Sequence, residues 1–391
     1  MLNFDYYAPT KVVFGKDAES RVGELVRAQR CKKVLVHFGG NSAKASGLLD
    51  RIFASLTEVG VDFVSLGGVV PNPRLSKVYE GIELCRREGV DFLLAVGGGS
   101  VIDSTKAISY GLSHDFDVWD LFEGKKKAAA FLPVGAVLTI AAAGSEMSYS
   151  AVITKEEGWL KRAYNDDISR PKFAILNPEL TYSLPEYQTM SGCVDIMMHT
   201  MERYFTTVDD TMDMTDRIAE SLLRTIMDNA RVLQKDPYNY KARAEVMWAS
   251  SLSHNGLTGC GAQGDWASHK LEHELGGMFD VAHGAGLAAV WGSWARYAYK
   301  VKPDRFAQFA VRVMDVRETS DIDATAVKGI EAMENFFRSI HMPVNIRELG
   351  YTLTDEQIKE LAHKCFDGNG AVGGFRKLYE EDMARIFAMA R

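Results

Sequence analysis

The sequence predicts an α/β domain over residues 1–184, followed by an all-α domain over residues 185–391. Between residues 32 and 111, short apolar runs alternate with amphipathic segments, which indicates parallel strands joined by right-handed helical crossovers. After about Pro185, strand-like runs become rare and apolar residues recur at helical spacing. A chain of 391 residues is also too long for one ordinary core, so two domains are expected.

The predicted elements follow one another regularly. Buried strands are expected at KKVLVHF, VDFVSLGG and DFLLAV, with helices between them over residues 43–59 and 75–88. Later strands are expected at AVLTI and KFAIL, and residues 150–165 predict a hairpin. In the second half, one amphipathic helix carries its apolar face at Ile218, Leu222, Ile226, Ala230 and Leu233.

Composition argues against several classes of protein. The formal net charge is -7 and no basic cluster is present, so nucleic acid is not expected as a partner. The uncharged segment 128–144 is broken by Pro133 and Gly135, which predicts a buried strand and no membrane span. The N-terminus lacks a secretory pattern, and the five cysteines are scattered without a C-x-x-C pair. We therefore expect a cytoplasmic protein.

A glycine run lies at the end of one predicted strand. VGGGSVID, residues 96–103, follows DFLLAV and opens a helix beginning near Val101. Glycines let the backbone approach a pyrophosphate closely, and a helix N-terminus presents N–H groups to it. The pattern favours a nucleotide site, although an ordinary tight turn has the same glycines. The glycine run itself is neither the G-x-G-x-x-G fingerprint nor a P-loop, since no G-K-[ST] follows it.

Histidines are concentrated in residues 265–284, DWASHKLEHELGGMFDVAHG. His269 and His273 stand four positions apart on a predicted helix, and His283 follows a Gly-Gly turn that lets the chain reverse. Imidazoles four apart share one face of a helix. Solvated or hydrogen-bonded histidines would explain one such residue, but a group of three requires another reason.

A second pair with the same spacing occurs upstream, where Asp195 and His199 also stand four apart. With two of the downstream histidines, this pair forms one carboxylate and three imidazoles. Such a set suits Fe(II) or Zn(II) and does not suit calcium. The candidate metal ligands are Asp195, His199, His269 and His283.

The same region contains a rival pattern. HKLEH, residues 269–273, spells H-x-x-E-H, in which two histidines bind zinc and Glu272 activates water in a peptidase. Three fixed positions arise easily by chance in a histidine-rich segment. The peptidase interpretation also leaves the glycine run, Asp195 and His283 without a role, and in the metal-site interpretation Glu272→Gln is expected to change little.

Several longer motifs occur in one order along the chain. They are PNP at 71–73, GGGSVID at 97–103, GSE at 144–146, Lys161, LNPELT at 176–181, D-x3-H at 195–199, H-x3-H at 269–273 and His283. In these motifs the chain resembles the iron-containing (group III) alcohol dehydrogenases, most closely their butanol dehydrogenase and NADPH-dependent aldehyde reductase branch. One position departs from the family: Ala143 replaces the usual threonine before GSE, which removes a hydroxyl that could hydrogen-bond the nucleotide.

The resemblance implies a dehydroquinate synthase-like architecture, with a Rossmann-like nucleotide-binding domain and an all-α metal-binding domain. It implies one divalent ion, with Fe(II) expected and Zn(II) as the alternative, held by the four candidate ligands. His273 would lie beside the ion as a catalytic proton relay or as a positioning group. The implied cofactor-binding residues are Gly39, Gly40, Asn41, Ser42, Asn72, Gly98, Gly99, Ser100, Asp103, Thr139, Lys161 and Thr181.

The cofactor preference is predicted from HFGGNSAKASG, residues 37–47. NAD-preferring enzymes place an acidic side chain at this strand end to bind the ribose hydroxyls, and that charge repels a 2'-phosphate. Here Gly40 occupies the place where NAD-preferring members of the family have aspartate, and the following residues offer N–H, amide and hydroxyl donors. We therefore expect NADP(H) to be preferred over NAD(H).

The expected activity is the NAD(P)H-linked interconversion of primary alcohols such as butanol and their aldehydes, by a homodimer. Two alternatives remain at this stage. A polyol dehydrogenase of the glycerol type would share the architecture, and a nucleotide- or metal-binding sensor would share the site without turnover.

Overall fold

The computed structural model describes residues 1–209 and 212–391, and these divide into two compact units. One unit comprises Tyr7–Leu184, and the other comprises Met1–Tyr6 together with Pro185–Arg391. The sequence-based division placed residues 1–6 with the first domain. The structure groups them with the second unit, where the Leu2 N–H donates to the carbonyl of Gly261 over 2.9 Å.

The first unit is organised around parallel strands. The strands are β1 (Lys11–Phe14), β2 (Lys33–Phe38), β3 (Asp62–Leu66), β4 (Phe92–Gly97), β5 (Val134–Leu138), β6 (Ser150–Lys155), β7 (Leu160–Asn165) and β8 (Phe173–Leu176). A parallel sheet runs in the order β1-β8-β5-β4-β2-β3, and β6 pairs with β7 as an antiparallel hairpin. This arrangement confirms the predicted α/β domain.

The helices of this unit connect successive strands. They are α1 (Val22–Arg27), α2 (Ser42–Ala45), α3 (Leu48–Glu58), α4 (Leu75–Glu88), α5 (Gly99–Leu112) and α6 (Trp119–Phe122). The single helix predicted over residues 43–59 is therefore wrong. Gly47 interrupts it with a left-handed φ of 68°, a conformation that glycine adopts without steric cost and that ends a helix.

Alternate residues of the strands supply separate cores on the two faces of the sheet. Val34 and Val36 of β2 join one apolar cluster with Ile52 of α3. Leu35, between them in sequence, joins the other cluster with Ile82 of α4. Strands covered by helices on both faces bury nearly every side chain, which explains the continuous apolar runs in the sequence.

Some elements differ from the sequence-based expectation. The strand expected at AVLTI begins two residues earlier, and α5 begins at Gly99 where a start near Val101 was expected. Strand β1 was not predicted at all. Its four residues, KVVF, form a short segment with one buried side chain, so apolar patterning gives little signal.

The second unit is built from helices, as predicted. They are α7 (Glu186–Tyr204), α8 (Asp213–Lys235), α9 (Tyr240–His254), α10 (Ala267–Phe279), α11 (His283–Ala298), α12 (Pro303–Arg312), α13 (Ile322–Ser339), α14 (Asp355–Asn369) and α15 (Glu380–Ala390). The predicted amphipathic helix corresponds to α8, whose face with Leu222, Ile226 and Leu233 is buried. Within residues 1–209 and 212–391, no helix has the length and apolar character needed to cross a membrane.

One histidine of the first unit is buried within the sheet. His37, near the end of β2, lies with Nδ1 2.8 Å from the carbonyl of Leu66 and Nε2 2.9 Å from the hydroxyl of Ser104. Burial lowers the pKa of His37 to about 4, because the charged imidazolium would lose its hydration. The side chain therefore holds β2, β3 and α5 together in its neutral form.

This burial predicts acid sensitivity of the first unit. The pKa of His37 is lower in the folded than in the unfolded protein, so the stability that His37 contributes is present above pH 6.5 and is lost as the pH falls towards 4. The loss should reach about 3 kcal/mol. We expect hydrogen-exchange protection of β2 and β4 to fall less steeply over this range in His37→Gln. Equal slopes in the parent and the variant would contradict this assignment.

Candidate active site

The glycine run between β4 and α5 forms a cradle without side chains. A Cβ atom added at Gly98 would lie 2.9 Å from the Cβ of Ile140, and one added at Gly99 would lie 2.9 Å from the Cβ of Ala143. Such distances are too short for packed carbon atoms, so these positions accept only glycine without local movement. No side chain at these two positions covers the first backbone N–H groups of α5. A pyrophosphate can approach N–H groups closely only when they are uncovered in this way.

The other residues predicted to bind the nucleotide near this turn lie at the same edge of the sheet. β2 and β5 flank β4 in parallel, so the residues that follow them, Gly39 and Thr139, lie beside the glycine run. A Cβ at Gly39 would be 3.7 Å from Val101 in the first turn of α5, and the Thr139 N–H donates to the carbonyl of Gly97 over 3.0 Å. Nucleotides bind at this carboxyl edge in open α/β sheets.

The more distant nucleotide candidates occupy defined places in the same unit. Asn72 is buried with a left-handed φ of 52°, and Lys161 is a buried residue of β7. The Thr181 hydroxyl donates to the carbonyl of Pro178 over 2.7 Å. The Asp103 carboxylate accepts hydrogen bonds from the Ser145 hydroxyl and, over 3.0 Å, from the Val152 N–H, so it ties α5 to the GSE segment.

The candidate metal ligands come together in the second unit. Asp195 and His199 lie one turn apart on α7, and His269 lies near the start of α10. All three are buried, and each offers one ligand atom within 4.8 Å of the others. His283, the first residue of α11, places Nε2 3.7 Å from Asp195 Oδ1. The structure therefore brings together the four residues selected from the sequence.

The Gly-Gly turn expected before His283 is wrong, because Gly276 and Gly277 lie within α10. The helix ends at Phe279, and Asp280 follows it with a left-handed φ of 53°.

Two atoms at the centre of this group lack protein partners. Asp195 Oδ1 and His269 Nε2 are buried and have no hydrogen-bond partner among the described residues, although they lie 3.8 Å apart. Buried polar atoms are almost always hydrogen-bonded, so two buried polar atoms without a hydrogen bond require an explanation. A carboxylate oxygen and imidazole nitrogens around a small space have the donor chemistry of a divalent metal site.

The charge balance of the group also favours a cation. Burial alone would raise the pKa of Asp195, but the neighbouring His199 and His283 hold it well below its usual value. Burial alone would lower the pKa of His269, but Glu202 and Asp195 outweigh it and raise that pKa to about 9. The buried carboxylates thus create a negative potential at this point, which a divalent ion would neutralise.

Two glutamates orient the candidate ligands. Glu202 Oε2 lies 2.9 Å from His269 Nδ1, and Glu272 Oε2 is hydrogen-bonded to His283 Nδ1. Both glutamates are almost fully buried. A proton on each Nδ1, donated to the carboxylate, leaves the Nε2 lone pair available for an ion. This arrangement is the one that supports metal-ligating histidines in many proteins.

Sequence reasoning did not find these orienting glutamates. Glu272 was considered only as a peptidase base, and Glu202 was not considered. Their positions carry a weak signal, since each stands three residues after a ligand histidine and therefore shares its helix face. The expectation that Glu272→Gln changes little must be revised, because the structure hydrogen-bonds this carboxylate to His283.

His273, the candidate proton relay, lies beside the ligand group. Its buried ring is 6.0 Å from the ring of His283, measured between centroids. A further histidine not singled out from the sequence, His254, packs its ring 4.1 Å from that of His199. Trp266, just before α10, has a left-handed φ of 66° that bulky residues rarely adopt, and its ring lies 5.4 Å from that of His269.

A nucleotide-type α/β fold and a candidate divalent-metal site are together typical of metal-dependent oxidoreductases, and comparisons with known proteins agree. Residues 9–178 match the family described as iron-containing alcohol dehydrogenase. Residues 189–391 match the C-terminal domain of the same family. The chain therefore belongs to the iron-containing alcohol dehydrogenase family.

Individual relatives cover almost the whole chain. The probable NADH-dependent butanol dehydrogenase 1 of Bacillus subtilis is 41% identical, over 99% of this chain and 99% of that protein. The NADPH-dependent aldehyde reductase YqhD of Escherichia coli is 35% identical, over 99% and 95%. The crystal structure of NADH-dependent butanol dehydrogenase A from Thermotoga maritima superposes with a TM-score of 0.96, at 36% identity and covering 100% and 99%. The resemblance identified from motifs is confirmed.

The arrangement of the candidate ligands predicts which histidine variants of the protein retain metal. His283→Ala should lose most of its metal and at least about 100-fold in kcat, because both a ligand and local order are lost. His273→Ala should keep its metal and lose roughly 100-fold in rate. Metal analysis of the purified variants distinguishes the two roles. Full metal occupancy in His283→Ala would overturn the four-ligand assignment.

The orienting glutamates predict a graded effect. Glu272→Gln should weaken metal binding roughly 10–100-fold, because a neutral amide accepts the His283 proton less strongly than a carboxylate does. Competition with a chelator of known affinity measures this change directly. The exposed Glu356→Gln serves as a matched control and should bind metal like the parent. Parental affinity in Glu272→Gln would show that this carboxylate does not support the site.

Proposed function

We propose that the protein is a metal-dependent, nicotinamide-linked alcohol dehydrogenase and aldehyde reductase acting on small primary alcohols such as butanol. The observation that carries the proposal is the buried group around Asp195, whose Oδ1 has no described hydrogen-bond partner and faces oriented imidazoles. The names of the B. subtilis and E. coli relatives support the substrate class.

The proposed chemistry divides between the bound groups and the protein. When bound, the divalent ion supplies Lewis-acid polarisation of the substrate oxygen, and the nicotinamide supplies or accepts hydride. Asp195, His199, His269 and His283 hold the ion, and burial of the first three side chains excludes water from them. His273 is the proposed proton relay, because the pKa of an unperturbed imidazole lies near working pH.

Iron is the ion that we propose, with zinc as the alternative. One carboxylate and three imidazoles accept both, and intrinsic affinity favours zinc over Fe(II). We expect apo-protein reconstituted with Fe(II) to oxidise NADPH steadily in the presence of butanal. Full activity with zinc alone would contradict an iron requirement. Metal-loaded protein that binds cofactor without turnover on any small aldehyde or alcohol would instead support the sensor alternative.

The proposed cofactor preference is for NADP(H). Gly40 follows β2 at the carboxyl edge of the sheet and is exposed. Apart from its two chain neighbours, none of the described residues has an atom within 4 Å of a Cβ added there. The neighbouring Gly39, Asn41 and Ser42 complete a segment without acidic side chains. The relatives carry both NADH-dependent and NADPH-dependent names, so the preference rests on this segment.

The open space at Gly40 makes the preference testable by one substitution. Gly40→Asp should fold normally and shift the ratio of kcat/KM from NADPH towards NADH by roughly 10–100-fold, because the carboxylate repels a 2'-phosphate. Gly40→Asn has similar size without the charge and should shift the ratio much less. A parent that favours NADH would overturn the proposed preference.

A homodimer is the proposed assembly. Strand β1 stands at one end of the sheet order, and exposed aromatic side chains occur on and next to it. They include Tyr7, which is 56% exposed, and Phe14, which is 41% exposed. An edge strand with exposed apolar residues is a surface that a second chain can cover.

A further inference from the structure

A lysine lies close to the segment proposed to receive the 2'-phosphate, although sequence reasoning gave it no role. Lys77 is in the first turn of α4 and its side chain is 23% exposed, so most of its stem is buried. Its Nζ is 3.5 Å from the position that a Cβ at Gly68 would occupy. The absence of a side chain at Gly68 therefore brings the ammonium group against the backbone after β3.

That backbone contacts the end of β2 directly. The Gly68 N–H donates to the carbonyl of Gly39 over 2.8 Å, and the Val69 N–H donates to that of Phe38 over 3.3 Å. Strand β3 is next to β2 in the sheet, so Gly68 lies beside Gly39 on the side away from the glycine run. Lys77 is thus separated from the Gly39–Ser42 segment by a single residue.

The surroundings of His37 are consistent with this position of Lys77. Burial is the main reason that the pKa of His37 falls to about 4; the Lys77 ammonium lowers this pKa further, and the Glu80 carboxylate raises it. Because His37 stands two residues before Gly39, Lys77 and Glu80 both lie close enough to the end of β2 for their charges to act there. The ammonium is paired at present with Glu80, at 2.5 Å, on the next turn of α4.

We propose that Lys77 is a specificity-determining residue that pairs with the 2'-phosphate of NADP(H). The inference rests on the proposed NADP(H) preference and names the cation responsible for it. A 2'-phosphate has the charge and acceptor oxygens for a charge-assisted hydrogen bond, whereas the 2'-hydroxyl of NAD(H) has no charge. Glu80 is 54% exposed and solvated, so the phosphate can replace it as the partner of Lys77.

The decisive experiment measures binding without turnover, metal or nicotinamide. Calorimetry with 2',5'-ADP and with 5'-AMP, which differ only in the 2'-phosphate, separates the contribution of that phosphate from recognition of the rest of the nucleotide. In Lys77→Met, the affinity for 2',5'-ADP should fall by about tenfold or more and the affinity for 5'-AMP should stay unchanged. Unchanged 5'-AMP binding also reports that the variant is folded.

Matched variants sharpen the test. Lys32→Met removes an exposed lysine just before β2, at the amino ends of the strands and therefore away from the carboxyl edge. This variant should change neither affinity. Lys77→Arg should keep most of the preference, because a guanidinium also binds phosphate. Glu80→Gln should raise the affinity for 2',5'-ADP a few-fold, because it removes both a competitor for Lys77 and a like charge.

The outcomes distinguish this inference from the proposal on which it rests. If the parent binds 5'-AMP as tightly as 2',5'-ADP, the NADP(H) preference is wrong and the role of Lys77 is wrong with it. If the parent prefers 2',5'-ADP and Lys77→Met keeps that preference, the cofactor proposal stands and the role of Lys77 is overturned. Equal losses for both ligands in Lys77→Met would also overturn it, because they would indicate a structural role.

Discussion

The constraint on which the site depends is the burial of a carboxylate, Asp195, among imidazoles inside a helical unit. Taking an ionised group out of water is costly unless charge and hydrogen bonds compensate it. Three imidazoles approach Asp195 Oδ1, at 3.2 to 3.8 Å, yet no described residue hydrogen-bonds this atom. We propose that a divalent ion completes the compensation, and the buried glutamates behind the histidines would then leave neutral nitrogens facing it.

The first unit depends on the opposite feature, which is the absence of side chains at its glycines. At Gly98 and Gly99 even a methyl group would collide with neighbouring loops, whereas at Gly40 a side chain would meet open space. The first two glycines are required by packing, and the third is free to vary. On the proposed nucleotide assignment, a substitution at the end of β2 changes cofactor choice without altering the glycine run. The relatives carry both NADH-dependent and NADPH-dependent names.

Spacing and periodicity predicted the part of the structure that depends on local patterns. The alternation of buried strands and helices, the hairpin and the helical second unit follow from local periodicity, and the pairs Asp195–His199 and His269–His273 follow from spacings of four. The features that could not be predicted from the sequence depend on tertiary contacts. Glu202 and Glu272 acquire their roles only because separate helices bring them to His269 and His283. Strand β1 is stabilised by β8, which is distant in sequence, and the break at Gly47 depends on a backbone angle that composition does not reveal.

The most direct test of the account is X-ray absorption spectroscopy at the metal edge of the purified protein, combined with anomalous diffraction from its crystals. The account predicts one ion per chain, bound by one carboxylate oxygen of Asp195 and by three imidazole nitrogens, from His199, His269 and His283, with His273 outside the coordination sphere. An ion coordinated by His269 and His273 and lying next to Glu272, or a specifically bound ion far from Asp195, would contradict it.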